Sequence, residues 1–222
     1  MARTRLVIAA LLTMAFASNA PAIAAGDKGA LPPPIGPVSP AVVPTKSGDG
    51  IYHQDWFLNS FLDLKEDLAA ANANGKRLAV IFEQRGCLYC TKMHTEVLSQ
   101  RYINDYVRSN FDIIQLDLWG AREVTDFDGT ALTEKKLAER WRIQFTPSIV
   151  FFKDDLTGLE GKWGRDVEVL RMMLGIGPGT FYDVFTWIAH RVYEKDPNFQ
   201  RFHLMRFDER EALRAEKSET VN

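Results

Sequence analysis

The sequence predicts one α/β domain with a mixed sheet. Three observations carry that prediction. Short apolar runs alternate with stretches of helical spacing, glycine and proline mark the junctions, and 222 residues suffice for one hydrophobic core with appendages. Apolar residues make up 46% and charged residues 25%, the profile of a soluble globular chain. The formal net charge is −2, and no lysine or arginine block stands out. A nucleic-acid partner would need such a basic stripe to neutralise phosphates, so that class is excluded.

The chain divides into four segments. Residues 1–24 read as a signal peptide: Arg3 and Arg5 precede the apolar stretch Leu6 to Ala17, and Ala22-Ile23-Ala24 fits a small-residue cleavage signal. That stretch is too short to span a bilayer, which takes about 20 apolar residues. Residues 25–50 read as a proline-rich linker, since six of the ten prolines fall between Pro32 and Pro44; a semi-stiff tether is expected. Residues 51–195 read as the domain and 196–222 as a charged helical tail.

Within the domain, Trp56, Phe57, Phe61, Leu64 and Leu68 recur at helical spacing, predicting a helix over 55–73 that Asn74-Gly75 stops. Arg77 to Glu83 is almost continuously apolar and predicts a buried central strand. Gly86 breaks it, and Cys87 opens a helix to about Leu98. A helical stretch at 99–108 leads to a strand from Phe111 to Leu118 and a turn-rich loop from Trp119 to Ala131. A helix over 133–141 opens on a Thr133 cap. Gln144 to Phe152 predicts a strand, although Pro147 cannot donate to a sheet ladder, so it starts the strand or has a special peptide bond. A last strand is expected within Val167 to Leu174, a stretch whose residues would equally suit a helix; Thr180 to Glu194 predicts a helix, and Asp196-Pro197 the start of the C-terminal helix.

The chemistry centres on two cysteines, Cys87 and Cys90. They are the only ones in the chain. A bridge between them closes a loop too short to staple a fold, so the pair calls for a chemical explanation. Cys87 stands where a helix begins, and unpaired N–H groups with the macrodipole favour its thiolate, the reactive form. Arg85 adds positive potential nearby or is simply a solvated surface arginine. Cys90, one turn inward, is placed to attack the mixed disulfide that Cys87 forms.

The run Phe82-Glu83-Gln84-Arg85-Gly86-Cys87-Leu88-Tyr89-Cys90, with Thr146-Pro147 downstream, resembles the thioredoxin-fold oxidoreductases. Lys92-Met93-His94, the Asp126 to Gly129 loop and Pro147 to Phe152 are similar to the SoxW-like branch of exported bacterial thioredoxins. The likeness spans residues 55–194. It implies a thioredoxin fold, a central mixed β-sheet flanked by helices, here with an extra C-terminal helix. It also implies a cis Thr146-Pro147 bond facing the sulfurs, with Thr146 and Pro147 binding an extended substrate beside Leu88 and Tyr89. The activity implied is reduction of disulfides in periplasmic client proteins, with a membrane-embedded thiol-disulfide donor restoring the dithiol; no cofactor is expected.

Two departures matter. Gly86 replaces the tryptophan usual before the first cysteine, and Ile81 occupies the place of the family's buried aspartate. Proton handling for Cys90 therefore does not carry over. Glu83, two residues on with the same strand facing, is the candidate general base; the plainer reading is an acid at a strand end reaching water. Tyr89 either hydrogen-bonds near the sulfurs or contacts substrate. The rival to exchange is a copper or zinc carrier using Cys87, Cys90 and His94, although no second cysteine pair completes a structural zinc set. Haem attachment is excluded, because Thr91 rather than histidine comes directly after Cys90. A non-enzymatic adaptor would leave the intact pair unexplained.

Overall fold

The computed structural model describes residues 29–155, 157–158, 160–173 and 175–219, and the segment read as a signal peptide lies outside them. The elements in chain order are a small hairpin, β1 (Thr45–Lys46) and β2 (Tyr52–His53); α1 (Leu64–Ala73); β3 (Arg77–Glu83); and α2 (Leu88–Lys92), which runs on into a π-helical turn at Met93–Val97. Next come α3 (Arg101–Asn110), β4 (Phe111–Asp117), β5 (Glu123–Thr125), β6 (Ala131–Thr133), α4 (Glu134–Arg140) and β7 (Ser148–Phe152). The chain ends with α5 (Gly164–Val167), β8 (Glu168–Met173), α6 (Pro178–Ala189), α7 (Val192–Lys195) and α8 (Phe199–Glu219).

Four strands form the central sheet in the order β4-β3-β7-β8. β4 runs parallel to β3, as a crossover through helices requires, while β7 and β8 are antiparallel neighbours. Every residue of β3 and of β7 is buried, which is why both read as unbroken apolar runs rather than alternating ones. Alternation sorts their side chains between two cores. Ala79, Ile81, Ile149 and Phe151 face α3, α6 and the π-helical turn, whereas Val80, Phe82, Val150 and Phe152 face α1 and α4.

Three sequence expectations change. The helix expected over 55–73 begins only at Leu64, where Asp63 caps it by accepting from the N–H groups of Lys65 and Glu66, both at 3.1 Å. Residues 51–62 instead run beside the sheet, Leu58 N–H donating to Ile113 at 2.8 Å. The apolar spacing misled because Trp56 and Phe57 pack on one core, Leu64 and Leu68 on the other, and Phe61 points to solvent. The helix expected over 180–194 is two, broken where Arg191 adopts a left-handed backbone, φ 51°. The loop after β4 carries the β5–β6 hairpin, whose turn centres on Asp126 to Thr130.

Residues 29–50, expected as a tether, lie along the domain where described. Val42 N–H donates to Ser99 at 2.8 Å, the Pro40 carbonyl accepts from Arg101 Nε at 3.1 Å, and Gly36 packs against the Tyr102 ring, where any Cβ would clash. At the other end of the chain, α8 packs on α6 through Phe202 and a buried charge cluster at Asp183.

Candidate active site

β3 delivers the chain to the site. After Glu83, Gly86 takes φ 76°, a left-handed conformation that suits glycine, and the chain turns into α2. Cys87 is the N-cap of that helix: its backbone is extended, and its Sγ accepts from the Cys90 N–H at 3.0 Å. A donor aimed at the sulfur favours negative charge there. Cys87 is partly exposed, Cys90 is only 4% exposed, and the two form a disulfide with Cα atoms 5.2 Å apart. One sulfur can therefore meet a partner while the other waits behind it.

β7 brings the second half. The Thr146-Pro147 bond is cis, and the Thr146 carbonyl oxygen lies 3.4 Å from Cys87 Sγ. Pro147 precedes β7 and so interrupts no ladder. Beside it a groove of about 210 Å³ is walled by Tyr89, Pro147 and the Gly175–Pro178 loop, with Met172 and Phe181 in its floor. Gly175 must be glycine for Tyr89 to lie where it does, since a Cβ would strike the ring. Leu88 and Tyr89 are 64% and 48% exposed, and the sequence did not single out Phe145, next to Thr146 and 49% exposed. Arg85 is exposed and packs against Gly50 of the N-terminal hairpin loop.

Glu83 does not reach water at the strand end. It is wholly buried, and its Oε1 accepts from His94 Nε2 at 2.9 Å and from Gln115 Nε2 at 3.0 Å, while Oε2 is buried with no partner. His94, also wholly buried, is engaged at its other nitrogen by Gln54 Nε2 at 3.0 Å. Both ring nitrogens are thus occupied, and His94 does not join the cysteines. Among the described residues no three His, Cys, Asp or Glu side chains converge as a metal set. The sequence signal for the pairing was weak: it needed the end of β3 to lie under the π-helical turn.

Residues 64–162 match the thioredoxin-like domain. This is a thioredoxin fold. The chain is similar to a thioredoxin-fold protein from Helicobacter pylori, at 16% identity with 60% of this chain and 85% of that one covered and a TM-score of 0.49. It is similar to a thioredoxin from Thermus thermophilus at 25% identity, covering 55% and 81% with a TM-score of 0.42. It is also similar to the C-terminal domain of Neisseria meningitidis DsbD in the oxidised form at 14% identity, covering 60% and 98% with a TM-score of 0.39. A search of curated proteins returns no match. A thioredoxin fold with an intact, bridged Cys-x-x-Cys pair at the start of a helix carries the working parts of a thiol:disulfide oxidoreductase.

Proposed function

We propose that the protein is an exported thiol:disulfide oxidoreductase of the SoxW-like kind, acting in the periplasm as a reductant of disulfides in client proteins. The observation that carries this reading is the asymmetry of the pair: Cys87 caps the helix and is accessible, and Cys90 is buried one turn behind it.

That asymmetry sets the order of the reaction. Reduced Cys87 attacks a client disulfide, its sulfur bonds to one client sulfur, and the other leaves as a thiolate. Cys90 then attacks the Cys87 sulfur, closing the bridge and expelling the second client thiolate. The two electrons pass from the protein dithiol to the client. The groove beside Pro147 would take the client chain, and Thr146 is its backbone partner. A membrane-embedded donor of the same thiol-disulfide chemistry would return the electrons.

The test is a trap. Cys90→Ser should accumulate a covalent mixed disulfide with clients in cells, and Cys87→Ser should accumulate none. Equal trapping by the two variants would refute the assignment of roles. Protein recovered from the periplasm should begin at Ala25, and recovery of the uncleaved chain from the cytoplasm would refute export.

A further inference from the structure

The groove beside Pro147 has two long walls, and one contact joins them. α2 supplies the first wall through Tyr89 and Lys92, and the Gly175–Pro178 stretch leading from β8 into α6 supplies the second. The Tyr89 ring, carried between the two cysteines, crosses to the second wall and lies on the Gly175 backbone. A Cβ on Gly175 would overlap Tyr89 Cδ1 and stand 3.1 Å and 3.3 Å from Cε1 and Cγ. Among the described residues the Tyr89 hydroxyl has no hydrogen-bond partner, so packing alone seats the ring. Tyr89 is 48% exposed, and a change of side-chain rotamer frees it without moving the backbone.

Behind that contact the groove is apolar and small. Met93, Ile149, Met172 and Phe181, all buried, form its floor. Its volume of about 210 Å³ falls below the ~300 Å³ at which small-molecule pockets begin, so one large side chain is the occupant that fits. The two methionines let the floor take leucine, methionine or phenylalanine alike, because the thioether chain reshapes easily.

We propose that Tyr89 is a latch: seated on Gly175 it closes the groove, and a client opens it by inserting a large apolar side chain that flanks its reactive cysteine. The inference rests on the exchange reaction proposed above and names the clients that reaction selects. A disulfide flanked by small or polar residues meets Cys87 with the latch shut and gains nothing from the groove. A client with a large apolar flank displaces the ring, replaces its packing with deeper burial on the floor, and binds more tightly. What matters is the ring; the hydroxyl is dispensable. Gly175 lies beyond the thioredoxin-like match at 64–162, so the latch pairs the cysteine motif with a residue outside the matched region.

The test uses the full-length reduced protein and two synthetic peptide disulfides that differ at one position, leucine or serine beside the reactive cysteine. The readout is kcat/KM for the leucine peptide divided by kcat/KM for the serine peptide, so a change in sulfur reactivity common to both cancels. The wild type should favour the leucine peptide. Opening the latch in advance removes the cost of displacing a half-buried ring, so Tyr89→Ala and Gly175→Ala should each raise the ratio about fivefold. Alanine suits the Gly175 backbone, which is not left-handed, and its Cβ evicts the ring. Tyr89→Phe keeps the ring and should restore the wild-type ratio. An aromatic that simply holds the client predicts the opposite sign: a ratio that falls or stays level in Tyr89→Ala overturns the proposal. A rise there with none in Gly175→Ala also overturns it, because the glycine would then be no seat.

Proton cross-relaxation reads the latch directly. Tyr89 ring protons should show cross-peaks to the Gly175 α-protons in the oxidised protein. In Cys90→Ser, each peptide can be loaded on Cys87 as a mixed disulfide; the cross-peaks should vanish in the leucine adduct and remain in the serine adduct. Their absence from the free protein, or their persistence in the leucine adduct, overturns the latch. Failure of the wild-type protein to reduce either peptide would instead strike the exchange reading, and the adducts would still decide the latch.

Discussion

The carbonyl oxygen of Thr146 lies 3.4 Å from the sulfur of Cys87, 59 positions away along the chain. Sheet topology explains the meeting. β3 and β7 are antiparallel neighbours, with Phe82 opposite Ser148. The end of one strand and the beginning of the other therefore share an edge of the sheet. The cysteine motif continues from β3 and the Thr-Pro bond leads into β7, so the two must face each other. A substrate approaching Cys87 has the Thr146 backbone at hand.

Exposed apolar side chains ring that edge. Leu88, Phe145 and Trp119 are 64%, 49% and 63% exposed, and the Trp119 indole donates to Gln84 Oε1 at 2.6 Å, which ties it to the approach to Cys87. On the exchange reading proposed above, exposed apolar side chains placed there would dock the client chain. We expect Phe145→Ser or Leu88→Ser to lower kcat/KM for a protein client about tenfold each, the loss of about 1.5 kcal/mol of apolar burial. A small soluble disulfide, too short to reach these residues, should lose far less. Equal losses for both substrates would mean that the residues act on the sulfurs rather than on docking.

The legible parts of the chain were those where local signal and tertiary role agree. β3 and β7 are buried on both faces, so an apolar run was sufficient to find them. Thr133 caps α4 as its type and place suggest, its Oγ1 accepting from Lys136 N–H at 3.3 Å. Where one spacing served two destinations the reading failed: Trp56 and Phe57 belong to a different core from Leu64 and Leu68. The break at Arg191 has no glycine to announce it; its left-handed turn goes with the Arg191–Asp154 ion pair, a long-range contact. His94 looked like a metal ligand because only its helix neighbours were visible, while Gln54 and Glu83 come from elsewhere in the fold.

The turn between β5 and β6 should make stability depend on acid. Two hydrogen bonds from Arg140 hold the Asp128 carboxyl down to about 2, below its ordinary 3.8. A carboxyl lowered in the folded state stabilises above its unfolded value and loses that contribution as pH falls through the folded one. The loss amounts to at most about 2 kcal/mol, spread between about pH 4 and 2. Its neighbour Asp126 has the opposite sign: burial pushes it up despite donors from Trp141, Phe127, Arg140 and Gly164, so its contribution is present at low pH and lost as pH rises. Comparing Asp128→Asn with the wild type isolates the first effect. Urea unfolding should show a gap near neutral pH that closes toward pH 2; a gap independent of pH would contradict the Arg140 account.

Asp183 should prove the anchor of the C-terminal helix. It is wholly buried on α6, accepts from Arg210 Nη1 and Nη2 at 2.8 Å each and lies 2.7 Å from His203 Nδ1, while Arg206 Nε stands 3.5 Å away. Removing one partner of a buried ion cluster costs about 3–5 kcal/mol, because the remaining charges stay desolvated without compensation. Asp183→Asn should therefore lower the urea midpoint sharply, and amide exchange should rise along α8 while β3 stays protected. Replacing the acid and both arginines together, as Asp183→Leu, Arg206→Met and Arg210→Met, should recover most of the loss, since packing then substitutes for the cluster. The effect should also reach the active-site groove: Phe181, in its floor, stands two residues before Asp183, and Gly179 packs against Arg210. A weakened α8 should thus raise KM for clients more than it lowers kcat. An unchanged KM in a destabilised Asp183→Asn protein would show that the helix braces the core without shaping the groove.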